Sequence, residues 1–231
     1  MKAQYLAHIF GGMAFTFNLS TSYAEIIPDG SMGSSDSISA VNGEYEIPAE
    51  IGTTAGNNLF HSFDTFNIET GYSADFSGPA NISNVVARVT GDSYSSIDGT
   101  LGCSITGANL YLINPNGIVF GENATLNVSG SFYASTADYL SFESGQQLHT
   151  DINQPVNLAV SDPSSFGFLQ PDPAGIIVNG GHLSVGEGQR LGLVGGDITI
   201  IGNNIAPAAD TGITPADTSI PANLGALSGQ I

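Results

Sequence analysis

Residues 109–136, NLYLINPNGIVFGENATLNVSGSFYAST, alternate apolar runs with short polar turns and carry almost no charge. Leu110 and Leu112 alternate with their neighbours, the period of a half-buried strand. Asn114-Pro115-Asn116-Gly117 breaks that strand. Pro115 presets φ at the second turn position, Asn116 tolerates the third, and Gly117 closes the turn with no Cβ to place. Ile118–Phe120 resumes the apolar run, Leu126 and Val128 form another, and Phe132 opens the next. Short strands with tight turns and no helical period between them predict a chain that coils rather than one built of hairpins.

The same rhythm returns after Gly175. Ile176 to Val178, Leu183 and Val185, Leu191 to Val194, and Ile198 and Ile200 recur at steps of about seven or eight, separated by glycines. Three such strands make a coil of about 22 residues, the scale of a solenoid repeat. Each strand would pair in parallel with the one a coil later. A single coil cannot bury its own apolar face, so stability comes from stacking. Residues 25–58 are rich in Gly and Ser, with Ile38, Val41, Tyr45 and Ile47 in one or two short strands that cap the open end. In LFHSFDTFNI, at 59–68, the phenylalanines are expected to fill the first coils and His61 to be a polar surface or capping residue. Further short strands lie at 74–76, 84–89 and 97–101. Arg88 falls opposite Val85, Ala87 and Val89, on the face of Asn84 and Val86, where a structural pairing with a carboxylate is expected. The pattern loosens over 137–170, and residues 206–231 have the Ala, Pro and Thr content of a flexible tail.

INPNGIVFG followed by ATLNVSGSFYASTAD resembles the N-terminal secretion domain of the filamentous haemagglutinin family, the exoproteins of two-partner secretion. LFHSFDTFNI, NVVARVTG (84–91), IDGTL (97–101), SSFGFL (164–169) and LSVGEGQRLGLVGGDITI (183–200) resemble that family's other landmarks in the same order. The resemblance spans roughly residues 25–204. One position departs: Ala87 stands where the family often has Asn or Ser before Arg88, Val89 and Thr90. The resemblance implies an all-β fold, a right-handed parallel β-helix (β-solenoid) with an N-terminal cap and extra-coil hairpins over 137–170. It implies recognition by the periplasmic domains of an Omp85-type outer membrane transporter, with Asn114, Pro115, Asn116, Gly117 and Ile118 as the recognition and turn residues. A host or neighbouring-cell surface is a further expected partner. Family exoproteins usually continue for hundreds of residues into a repetitive passenger, whereas this sequence ends at 231.

Residues 1–24 read as a secretory signal, with Lys2 as its only charge, an apolar run from Tyr5 to Leu19 and a small residue, Ala24, at the cleavage site. The mature domain would then cover 25–205. Without Lys2 the chain keeps Arg88 and Arg190 against 21 carboxylates, a side-chain net charge of −19. Such a surface repels nucleic acid and favours a soluble monomer outside the cell. Cys103 is the only cysteine, so no internal disulfide forms, and it is expected to be a small core residue. No nucleophile elbow, phosphate loop or zinc-helix motif occurs, and the two arginines and scattered histidines give no proton-abstracting constellation. No enzyme, cofactor or metal is expected. Tyr72, Tyr94, Tyr133 and Tyr139 are the residues through which a rival function, a self-standing adhesin or carbohydrate-binding module, would act.

Overall fold

The computed structural model describes residues 26–202 and 223–226. The expected signal at 1–24 and most of the expected tail lie outside them. An N-terminal segment carries β1 (Ile26–Pro28), β2 (Glu44–Pro48), a 3₁₀ turn (Ala49–Ile51) and β3 (Thr53–Ala55). The first coil holds β4 (Asn58–Phe66) and β5 (Ser73–Ser77); the second holds β6 (Asn84–Val89), β7 (Ser95–Ile97) and β8 (Thr100–Cys103). The third holds β9 (Asn109–Ile113), β10 (Ile118–Phe120) and β11 (Thr125–Val128). The fourth starts with β12 (Phe132–Ser135). It is interrupted by β13 (Tyr139–Phe142), β14 (Gln147–His149) and β15 (Pro163–Gly167), then resumes with β16 (Ile176–Asn179) and β17 (His182–Val185). The fifth holds β18 (Leu191–Val194), β19 (Ile198–Ile201) and β20 (Asn223–Ala226).

Strands one coil apart pair in parallel and build three sheets around one lumen: sheet I from β4, β6, β9, β12 and β18, sheet II from β2, β5, β8, β11, β17 and β20, sheet III from β7, β10, β16 and β19. This is a parallel β-helix, as the coil period predicts. Asn58 pairs with Asn84 and Asn84 with Asn109, rises of 26 and 25 residues, whereas Leu110 to Phe132 and Ile176 to Ile198 are each 22. The register stacks like on like. Leu59, Val85, Leu110, Phe132 and Leu191 form one lumen column, all at most 1% exposed. Cys103 lies in another, between Phe76 and Val128. Burial pushes its thiol up to about 11, the state of an inert core residue rather than a nucleophile. The N-terminal segment closes the open end, β1 and β3 running antiparallel to β4.

Three expectations change. The half-buried strand around Leu110 is buried on both faces. Sheet IV, the antiparallel set β14-β13-β15, packs Leu140, Phe142 and Leu148 against Phe60, Val86 and Tyr111 on the outside of sheet I. Phe60 therefore leaves the lumen, because a strand alternates its faces: the three-residue spacing of Phe60, Phe63 and Phe66 is not one face. Lastly, Asn223–Ala226 pair with β17 inside the stretch that reads as a tail; four residues interrupted by Gly225 are too short to show a period.

Polar ties fasten the cover to the first two coils. Asn58 Nδ2 donates to the carbonyls of Ala159 (2.9 Å) and Ser161 (2.7 Å). Asn84 Nδ2 donates to Asn58 Oδ1 (2.9 Å) and Asp162 Oδ1 (3.0 Å), and Asn109 Nδ2 donates to Asn84 Oδ1 (3.0 Å). This ladder meets the demand that buried amides be bonded.

Candidate functional site

The two motifs that stand out in the sequence, Arg88-Val89-Thr90 and Asn114 to Ile118, meet at one corner of the solenoid, where sheet I turns into sheet III. Residues 90–94 make that corner in the second coil and residues 114–117 make it in the third. Asn116 Nδ2 donates to the Gly91 carbonyl at 2.7 Å, joining them.

The Asn-Pro-Asn-Gly turn forms as its residue types require. Gly117 N donates to the Asn114 carbonyl (3.1 Å), and Gly117 sits at φ +114°. Asn114 is fully buried, with every polar group of its side chain bonded. Its Oδ1 accepts from Asn116 N (2.9 Å), and its Nδ2 donates to the Ser93 carbonyl and to Ser95 Oγ, both at 3.0 Å. Asn114 N donates to the Ser135 carbonyl (2.9 Å) and Ser95 N to the Gly117 carbonyl (3.0 Å). The turn thus stitches the second, third and fourth coils. Ile118 is 0% exposed in the lumen, Pro115 is half-buried, and Asn116 faces water. A Cβ on Gly117 would sit 3.4 Å from the Gly175 carbonyl and 3.5 Å from the Tyr94 Cβ, in a φ region that β-branched residues avoid. Gly117→Val is expected to cost about 1–3 kcal/mol in urea unfolding. A cost under half of that would mean that the turn relaxes freely.

Arg88, 1% exposed on the outer side of β6, is a hub. Its Nε donates to Ser62 Oγ (2.8 Å), one terminal nitrogen to Ser31 Oγ (2.9 Å) and the other to the His149 carbonyl. The expected carboxylate is Asp29, but the contact is relayed. Ser62 Oγ donates to Asp29 Oδ2 (2.6 Å) and Ser31 Oγ to Asp29 Oδ1 (2.7 Å), so each hydroxyl accepts from the guanidinium and donates to the carboxylate. Thr90 Oγ1 also donates to Asp29 Oδ2 (2.6 Å), and Val89 fills the lumen. Burial alone would raise the Asp29 carboxyl. Hydrogen bonds from Ser62, Thr90 and Ser31 outweigh it and hold the group below its ordinary value. Burial pulls the Arg88 guanidinium down, with Asp29 and Asp151 acting against it. Arg88 therefore ties the N-terminal segment, the first coil and sheet IV together. Asp29, Ser31, Ser62 and His149 give no signal in the sequence, because they reach Arg88 from separate segments. Ala87 is buried in the lumen at 0% exposure, a position that suits an apolar methyl.

His61 corrects the sequence reading. It is 0% exposed and points into the lumen rather than to the surface. Its ring stacks near Phe63 (6.1 Å) and tilts against Phe76 (5.2 Å). Both ring nitrogens are buried without a hydrogen-bond partner. Burial drives its pKa down to about 4, so the ring is neutral. With no carboxylate, thiol or hydroxyl bonded to it, His61 is a core residue and not a base. Among the described residues no three His, Cys, Asp or Glu side chains come close enough to hold a metal ion.

In the crystal structure of the HMW1 secretion domain from Haemophilus influenzae, 23% of aligned residues are identical and the TM-score is 0.48. That match covers 72% of this chain and spans 38% of the length of the other. No curated protein sequence matches. The TPS secretion domain family matches over residues 24–230, which takes in both motifs, the N-terminal closure and all five coils. The chain belongs to the TPS secretion domain family, the N-terminal domains of two-partner secretion exoproteins.

Proposed function

We propose that this domain secures the export of an adhesin-type exoprotein and nucleates its folding. In this reading the chain crosses the periplasm of a Gram-negative-type cell and is recognised by the periplasmic domains of an Omp85-type transporter. It folds once outside. Membership of the TPS family carries the secretion role. The burial of Asn114, Gly117 and Ile118 supports recognition of the chain before it coils, since a partner cannot reach those residues in the finished turn. An extended segment with free backbone groups can add as a strand to a transporter edge. The last described rung supports nucleation. Ile198 and Ile200 stack on Ile176 and Val178, which are 0% exposed, yet are themselves 45% and 44% exposed. They offer an apolar surface on which a further coil can stack.

Export from a Gram-negative host, with and without the candidate transporter, tests this. Transporter-dependent appearance in the medium or at the surface is expected; equal export without the transporter overturns the reading. Asn116→Ala separates recognition from folding, because Asn116 is exposed and loses a single hydrogen bond, to Gly91. The variant is expected to refold in vitro within about 1 kcal/mol of the parent and to lose most of its export. Unchanged export would remove Asn116 from the recognition set.

A further inference from the structure

The corner built by the Asn-Pro-Asn-Gly turn also borders a cleft. Tyr94 projects from the second coil's corner and is 57% exposed. The turn holds it from both sides: Asn114 Nδ2 binds the Ser93 carbonyl and Ser95 Oγ, and Ser95 N binds the Gly117 carbonyl. The ring borders a cavity of about 440 Å³, whose walls include Asn67, Glu69, Thr70, Ser96 and Asp98.

The walls are preset. Ser96 N donates to Asn67 Oδ1 (2.8 Å), which fixes that amide and leaves its Nδ2 donor unused. Asp98 accepts from Thr70 Oγ1, from Asn123 N (2.9 Å) and from Asn123 Nδ2 (3.1 Å). Burial would raise its pKa, but these bonds outweigh it and keep the carboxylate ionised, with lone pairs to spare. Glu69 has Oε1 shut away from solvent with no donor in reach. The walls come from the first and second coils, so the cleft spans two rungs of the solenoid.

A matching ligand needs an apolar face for the Tyr94 ring, a donor for Asp98 and an acceptor for Asn67 Nδ2. A pyranose supplies all three, through its C–H face and through hydroxyls that both donate and accept. An ammonium or guanidinium group serves only the carboxylates and leaves the amide donor unused. An acidic sugar is repelled by two carboxylates in one cleft. We propose that the cleft between Tyr94, Glu69 and Asp98 binds a neutral saccharide. This goes beyond export and does not rest on it.

The full chain, labelled with ¹⁵N, is titrated separately with neutral oligosaccharides of glucose, galactose and mannose, with oligogalacturonate and with hexalysine. At least one neutral oligosaccharide is expected to shift the amide signals of residues 93–98 saturably. Tyr94→Ala is expected to weaken that binding at least tenfold while the lumen signals stay in place, because the side chain is exposed. Asn67→Ala, which removes the free amide donor, is expected to weaken it severalfold. The proposal is overturned if none of the three neutral sugars shifts these signals, if only hexalysine or oligogalacturonate does, or if Tyr94→Ala leaves the affinity unchanged.

Discussion

Arg88→Met is expected to lower the unfolding free energy by about 3–5 kcal/mol, the range for breaking a buried ionic pair from one side. The methionine fills the space but donates nothing. The His149 carbonyl loses a donor, and Ser31 and Ser62 lose the guanidinium that orients them. Asp29, held ionised by its hydrogen bonds, keeps a negative charge in a half-buried site with no cation near. Urea unfolding followed by circular dichroism measures the loss. Adding Asp29→Asn to Arg88→Met removes the stranded charge and is expected to recover about 1 kcal/mol or more, a coupling that isolates the pair. A single-variant cost under about 1 kcal/mol, or no recovery in the double variant, would show that the relay through the serines carries no energy.

His61→Leu is expected to stabilise the domain and to flatten its pH response in mild acid. In the unfolded chain the imidazole takes a proton near 6.5; in the lumen it does so only near 4. Between those values the unfolded state holds the extra proton. Stability is therefore full above about 6.5 and falls as pH drops, by about 1.4 kcal/mol per unit and roughly 3 kcal/mol in all. The lowered carboxyls of Asp29, Asp98 and Asp151 act below their ordinary 3.8 and leave this window to His61. Leucine also removes two buried nitrogens without partners, worth about 1–3 kcal/mol at neutral pH. Unfolding at pH 7.5 and at pH 4.5 gives the test. A wild-type protein equally stable at both would mean that the ring is not sealed from water.

How much of this was legible follows from how local each cause is. The Asn114–Gly117 turn could be read from four residues, because proline and glycine fix its backbone without help from elsewhere. The coil period showed from 176 to 200, where lumen residues and glycines alternate undisturbed. His61 reads as a surface residue because imidazole is polar and the phenylalanines spaced by three disguise the alternation of Leu59, His61 and Phe63. The double burial of β9 was invisible, since its cover comes from an insertion in the next coil. Arg88 announced itself, but its partners lie 57, 26 and 61 residues away at Ser31, Ser62 and His149. No spacing rule links such positions.

The placement of sheet IV bears on how the domain comes apart. A solenoid joined only through neighbouring coils behaves as a one-dimensional array and frays from its ends, one repeat at a time. Here a segment inserted in the fourth coil bonds to Asn58 in the first and to Asn84 and Arg88 in the second. Losing the first coil thus strips the cover from the rest, and losing the cover exposes the outer face of sheet I from Phe60 to Tyr111. The coils that sheet IV spans become a single cooperative unit, expected to melt in one transition, and hydrogen exchange across β4, β6, β9 and β12 should share one opening free energy. Past the reach of sheet IV, at β18 and β19, the chain regains the independence of an ordinary repeat.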